Sequence, residues 1–131
     1  MAVTATAIRL AAFRELGHLF TFDLAIRKGH KLVTSGPYSY VRHPSYTGLI
    51  GAFSGIGLCL LGQGSWARES GVLDTPWGHY AKYLWYVSLV FTPLNFARRT
   101  LVEDKMLKTE FQGQWEEWAK NVPYRLLPGV F

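Results

Sequence analysis

Residues 44–67, PSYTGLIGAFSGIGLCLLGQGSWA, carry no charged side chain. As a helix rising ~1.5 Å per residue, such a stretch reaches roughly 36 Å, enough to cross the hydrocarbon core of a bilayer. Pro44 suits a first helical turn, where its missing N–H costs nothing. Gly48, Gly51, Gly55 and Gly57 would weaken a helix in water. In lipid, where small residues let backbones approach, Gly51 and Gly55 form a GxxxG packing face. The stretch is read as a membrane-spanning helix, and the fold class as all-α.

The flanks extend that reading. Residues 68–76 form a polar turn with Arg68, Glu69 and Asp74. A second apolar block follows at 77–97, with Trp77, Tyr80, Tyr83, Trp85 and Tyr86 crowded at one end like an interfacial aromatic belt. The two spans, about 44–66 and 77–97, are expected to form a transmembrane hairpin. Pro93 is expected to kink or end the second helix. Upstream, residues 2–26 place Leu10, Phe13, Leu16, Phe20 and Leu24 at helical spacing. Arg9, Arg14, Glu15 and Asp23 make that segment a poor lipid-facing span, so it is read as an amphipathic helix or as the tail of a longer membrane helix, and Arg9, Arg14 and Glu15 interrupt any signal-peptide core. Downstream, residues 98–111 form a charged amphipathic helix in which Arg99, Glu103 and Leu107 share a face. Gly113 is expected to break it, and 114–121 to form a short helix showing Trp115, Trp118 and Ala119. Pro123 and Pro128 then impose an extended tail. These last helices are placed in the cytosol.

Charge supports this topology. The chain has 131 residues, one domain's worth, with 14 Lys and Arg against 9 Asp and Glu. The bases bracket the apolar blocks, which speaks for membrane topology and not for nucleic-acid binding. The connection 27–43 holds Arg27, Lys28, Lys31 and Arg42 without an acid, whereas 68–76 holds one base and two acids. The positive-inside rule puts Arg42-His43 and Arg98-Arg99 on the cytosolic face and 68–76 opposite. Cys59 is the only cysteine, so neither an intrachain disulfide nor a cysteine-rich metal site is possible. His18, His30, His43 and His79 lack metal-ligand spacing. No Gly-rich loop follows a predicted strand, and no GxSxG or HExxH motif occurs.

The chemistry concentrates in residues 31–48, KLVTSGPYSYVRHPSYTG, where a turn-rich segment runs into the first span. Gly36-Pro37 punctuates the backbone, and Tyr38, Tyr40 and Tyr46 supply rings and hydroxyls. Taken locally, Arg42-His43 anchors a helix at the headgroups, and Arg99 with Glu103 is an i, i+4 pair worth roughly 0.3–0.5 kcal/mol when exposed. Topology sets the two constellations side by side at the membrane edge.

These residues resemble a known family. His30-Lys31-Leu32-Val33, Gly36, Tyr38, Arg42-His43-Pro44-Ser45-Tyr46 and Gly48 are similar to the membrane-embedded isoprenylcysteine carboxyl methyltransferases. Arg99, Glu103, Asp104 and Leu107 follow that family's R-x-x-x-E-E-x-x-L, with Asp in the second acidic place. Residues 115–123 and Leu127-Pro128 resemble its closing pattern. The resemblance implies S-adenosylmethionine as methyl donor, held by His30, Lys31, Leu32, Val33, Tyr38, His43, Pro44, Ser45 and Tyr46, with Glu103 at its positive end. It implies catalytic roles for Arg99 and Glu103, with Arg99 holding the substrate carboxylate. It further implies methyl esterification of the prenylcysteine carboxylate of processed CaaX proteins, with prenylated protein C-termini and the lipid bilayer as partners. The implied location is the endoplasmic reticulum membrane, multi-pass, with the site facing the cytosol. The family has further membrane helices before the equivalent of residues 2–26, so the chain is expected to be an N-terminally short form.

Methyl transfer from a sulfonium to a carboxylate removes two opposite charges, so a dry site favours it. A carboxylate is already ionised at neutral pH, and the protein's task is orientation. Two rival readings stay open: a phospholipid or other lipid N-methyltransferase, whose amine needs a base, and an inactive membrane module.

Overall fold

A computed structural model describes residues 1–17 and 31–130. Those residues form helices and turns, with no strand among them. α1 spans Ala2–Leu16, α2 Pro44–Leu61, the short α3 Trp66–Glu69 and α4 Pro76–Asn121, with 3-10 turns at Gly36–Ser39 and Val72–Asp74.

Helix ends follow local chemistry. Thr75 caps α4 by accepting the Gly78 N–H, and Pro76 and Pro44 sit in the first turns of α4 and α2. α1 stops at Leu16, short of the helix expected over 2–26, because Gly17 turns left-handed (φ 49°). The rest of that expected helix, 18–26, lies outside the described residues. Pro93 was expected to kink or end the helix; α4 does not end there but continues through it. Proline removes one N–H, the donor to the Leu89 carbonyl, and the residues around it keep helical angles. The expected break at Gly113 falls one residue earlier, at Gln112 (φ 41°, ψ −116°), and the helix resumes to Asn121.

α2 is the element on which the others lie. Its Gly48, Gly51 and Gly55 face α1 so closely that a Cβ on Gly48 would stand 2.6 Å from the Ala5 carbonyl oxygen. A Cβ on Gly55 would stand 2.7 Å from the Ala2 nitrogen. The GxxxG face thus receives an antiparallel α1. Another face of α2 meets α4: Phe53 stacks on Trp85 at 4.5 Å, and Tyr46 stacks on Phe96 at 4.8 Å. These contacts are those of antiparallel neighbours. Among the described residues, one helical stretch, Pro44–Glu69, is long and apolar enough to cross a membrane.

At the other end of the molecule a small core joins Ala12 of α1, Tyr38, and Trp118 and Val122 after the α4 break, with Leu16, Leu32, Val33 and Trp115 packed against it. The Trp118 indole donates to the Tyr38 carbonyl at 3.2 Å. The tail beyond Asn121 was expected to be extended; it is irregular over 122–124, bends over 125–127 and closes in a turn at 128–130, where Val130 N–H donates to the Leu127 carbonyl at 3.1 Å and Gly129 takes φ 81°. It is strapped to the start of α2. The Arg42 and His43 amides donate to the Tyr124 and Arg125 carbonyls at 3.0 and 2.9 Å. The Thr47 hydroxyl donates to the Leu126 carbonyl at 2.6 Å.

Candidate functional site

The first turn of α2 and the third quarter of α4 meet beneath this strap. The i, i+4 spacing puts Arg99 and Glu103 on one helical face, with Arg99 Nε donating to Glu103 Oε1 at 3.0 Å. The Tyr46 hydroxyl donates to the same oxygen. His43 Nδ1 lies 3.1 Å from Glu103 Oε2, and its Nε2 lies 3.0 Å from Asp104 Oδ1. Facing a carboxylate at each nitrogen, the imidazole donates twice and is an imidazolium. Asp104 also accepts from Arg42 Nη1 at 3.0 Å and Arg125 Nε at 2.8 Å.

These contacts set the electrostatics. Burial opposes the charge on His43, but its bonds to Asp104 and Glu103 hold its pKa above the ordinary histidine value. Burial likewise works against the Glu103 charge, yet the donors His43, Tyr46 and Arg99 hold it below the usual carboxylate range. Asp104 is only 4% exposed, and burial pushes its pKa up; His43, Arg125 and Arg42 more than reverse that. Burial lowers the Arg42 pKa, and Arg125 adds to the effect against the pull of Asp104. The Arg99 pKa is raised, first by its bond to Glu103. Tyr38 is pushed upward by burial and then by the Glu103 and Glu15 charges.

Expected site residues therefore gather unevenly. His43, Tyr46, Arg99 and Glu103 form one connected cluster, with the Arg99 guanidinium 5.8 Å from the Tyr46 ring centre. Tyr38, Leu32 and Val33 lie in the adjoining apolar core. Pro44 is fully buried, Ser45 half-buried on the first turn of α2, and Lys31 exposed. His30 lies outside the described residues.

Sequence reasoning gave no role to Asp104 beyond its motif position, and none to Arg125. Asp104 is the buried hub of the ion cluster, and Arg125 reaches it from the tail. The signal for Asp104 was its place next to Glu103. Arg125 had no signal, being one base in a proline-flanked tail.

The sequence model of the isoprenylcysteine carboxyl methyltransferase (ICMT) family matches residues 1–65. The chain is 31% identical over 118 residues to the protein-S-isoprenylcysteine O-methyltransferase of Schizosaccharomyces pombe, covering 88% of this chain and 42% of that protein. It is 30% identical over 125 residues to protein-S-isoprenylcysteine O-methyltransferase B of Arabidopsis thaliana, covering 94% of this chain and 54% of that protein. A delta(14)-sterol reductase of Mus musculus is also 34% identical over 104 residues, covering 79% of this chain and 20% of the reductase. The chain thus spans about half or less of the length of these relatives. The two methyltransferases align with most of the chain, and the family model covers α1, the loop 31–43 and α2, the part that carries Arg42-His43-Pro44-Ser45-Tyr46. The chain is thus similar to the isoprenylcysteine carboxyl methyltransferase family, over residues 1–65 by the family model and over most of its length by the two methyltransferases.

Proposed function

We propose that this chain carries the methyl-transfer site of a membrane protein-S-isoprenylcysteine carboxyl O-methyltransferase, using S-adenosylmethionine to esterify the prenylcysteine carboxylate of processed CaaX proteins at the cytosolic face of the endoplasmic reticulum membrane. The observation that carries the reading is the joining of Tyr46, His43, Arg99 and Glu103 into one cluster at the foot of the apolar helix α2.

The residues fit a sulfonium donor. When bound, S-adenosylmethionine supplies an electrophilic methyl group on a positively charged sulfur. A carboxylate has about four lone-pair positions, and three on Glu103 are engaged, by Tyr46, Arg99 and His43. That leaves room on Oε2 for one more donor from a cationic ligand. Tyr46 and Phe96 supply stacked aromatic walls, and the Tyr38 region an apolar floor. Lys31, Leu32, Val33, Tyr38, His43, Pro44, Ser45, Tyr46 and Glu103 are the holding residues in this reading, with His30 beside them in sequence.

Arg99 takes the substrate role. Its side chain is 39% exposed while its Nε is fixed by Glu103, so its forked guanidinium is aimed and reachable. Within the cluster four cationic side chains, Arg42, His43, Arg99 and Arg125, face two carboxylates. Such a net positive site draws a carboxylate. α2 would enter the bilayer directly above, letting a prenyl chain remain in lipid while its carboxylate meets Arg99. Packing α2 against α4 in antiparallel fashion supports a hairpin with both cluster ends on one face.

The test is methyl transfer from labelled donor to a farnesylated cysteine analogue by the chain in membranes, with Arg99→Ala as comparison. The reading expects ester formation in the parent and its collapse in the variant. Label on a lipid amine instead, spared by Arg99→Ala, would overturn it. The 34% identity to a sterol reductase favours a second reading, reduction of a sterol double bond on the same scaffold. Turnover of a Δ14-sterol with a supplied hydride donor, and none of the farnesylated analogue, would decide for it.

A further inference from the structure

Asp104 takes three charged donors although it is almost fully buried, and only two of them come from the α2 entrance. The third, Arg125, comes from the tail, 21 positions beyond Asp104. Arg125 is tied twice: its carbonyl accepts the His43 amide at 2.9 Å, and its Nε donates to Asp104 Oδ2 at 2.8 Å. Asp104 Oδ1 then faces His43 Nε2 at 3.0 Å, and His43 Nδ1 faces Glu103 Oε2 at 3.1 Å. The chain of contacts from tail to Glu103 is unbroken. Arg42 shares Oδ2 with Arg125 and is itself fixed by the Pro123 carbonyl at 2.9 Å and by its stacking over Trp115 at 5.5 Å.

We propose that Arg125 is a positioning residue of the site: from the tail strap it fixes the Asp104 carboxylate, which holds the His43 imidazole against Glu103. The inference rests on the reading of Glu103 as the donor-facing carboxylate. A two-point grip by one residue is what a positioning role needs, because the His43 backbone and the partner of its ring are referenced to the same residue. Without the guanidinium, Oδ2 keeps only Arg42 and Oδ1 only His43, so the carboxylate loses the one donor that ties it to the tail and its orientation is less closely fixed. The imidazole then loses a fixed partner on Nε2 and its hold on Glu103 loosens. Orientation errors of this kind at a reacting centre cost tenfold to 100-fold in rate, on the order of what a 1 Å misplacement does. Among the described residues, the charged groups paired with Asp104 are Arg42, His43 and Arg125, so losing Arg125 removes one of the groups that keep it ionised.

The experiment compares the chain in detergent or nanodiscs with Arg125→Gln and Arg125→Lys, leaving the backbone bond of the strap intact in all three. The first readout is the nitrogen-15 spectrum of His43 as a function of pH, assigned by its disappearance in His43→Gln. Arg125→Gln is expected to change the Nε2–H signal and move the acid transition upward, and Arg125→Lys to restore both in part. The second readout is methyl transfer, where Arg125→Gln is expected to lower kcat/KM for the donor by about tenfold or more. A His43 titration unchanged in Arg125→Gln overturns the proposal. If the His43 response is as expected but the parent transfers no methyl group, the methyltransferase reading fails and the positioning role stands.

Discussion

Glu103 is the residue whose surroundings leave least freedom. Tyr46, Arg99 and His43 all point hydrogens at it, so Glu103→Gln replaces one acceptor oxygen with an amide that also donates. Whichever way that amide turns, one face sets donor against donor. We expect the methyl-transfer rate to fall by about 100-fold, on the scale seen when a preorganised polar group is lost, measured with the labelled farnesyl analogue. Unchanged turnover would remove Glu103 from the site. The same cluster fixes a pH window for stability. The His43 pKa is raised, so its contribution is complete below about 6.5 and disappears as pH climbs through the elevated value. Glu103 and Asp104 are lowered, so theirs is complete above about 4 and disappears as pH falls through the depressed values. The melting temperature of the purified chain should therefore drop on both sides of a plateau, and His43→Gln should abolish the alkaline fall. An alkaline fall that survives in that variant would locate the titrating group elsewhere. Sequence made part of this visible. Arg99 and Glu103 were legible because helical spacing pairs them locally, and His43 because it precedes Pro44 at a span entrance. The bonds from Asp104 to Arg42 and Arg125 join distant segments, and no local pattern encodes them.

At the scale of elements, glycine placement decides which helices touch. The small-residue face of α2 was readable from spacing alone, but its partner was not, since a bare face attracts any helix that fits. α1 fits because Ala2 and Ala5 lie opposite Gly55 and Gly48. At Gly48 an added methyl would meet the Ala5 carbonyl at 2.6 Å, and a helical carbonyl cannot turn aside. Gly48→Ala should therefore destabilise the chain by about 1–3 kcal/mol through forced separation of α1 and α2. Gly113→Ala is the control, with no atom outside its own turn of helix within 4 Å of its added Cβ, and should stay within about 0.5 kcal/mol. Equal losses in thermal melts of the two variants would mean that close packing on α1 is not what Gly48 provides. The expected C-terminal end of α1 and an end of the second helix at Pro93 went astray for opposite reasons. Gly17 uses the left-handed freedom that apolar spacing ignores, and Pro93 costs a single hydrogen bond that a helix of this length absorbs.

Over the whole molecule, the described residues leave many large apolar side chains exposed. Ile56, Leu58 and Leu60 on α2, and Trp77, Tyr80, Leu84, Val87, Phe91 and Leu94 on α4, all face outward. Large exposed apolar area on a folded chain needs a non-aqueous neighbour, and a bilayer supplies one for both helices if they cross it as a pair. The charged cluster and the polar turn at 68–76 then lie at opposite ends of α2, which the positive-inside rule assigns to the cytosolic and lumenal sides. Single cysteines in a Cys59→Ala background test this directly, because Cys59 is the only native thiol. Thr109 and Ser70 are both exposed, one beyond the cluster on α4 and the other beside α3. In sealed vesicles with the cytosolic face outward, a charged maleimide should label Thr109→Cys at once. It should reach Ser70→Cys only after the membrane is opened. Labelling of both sites in intact vesicles would mean that α2 does not cross the bilayer. The exposed band on α2 and α4 would then have to be covered by other protein, and the cluster at Glu103 would not sit where a prenyl chain leaves the lipid.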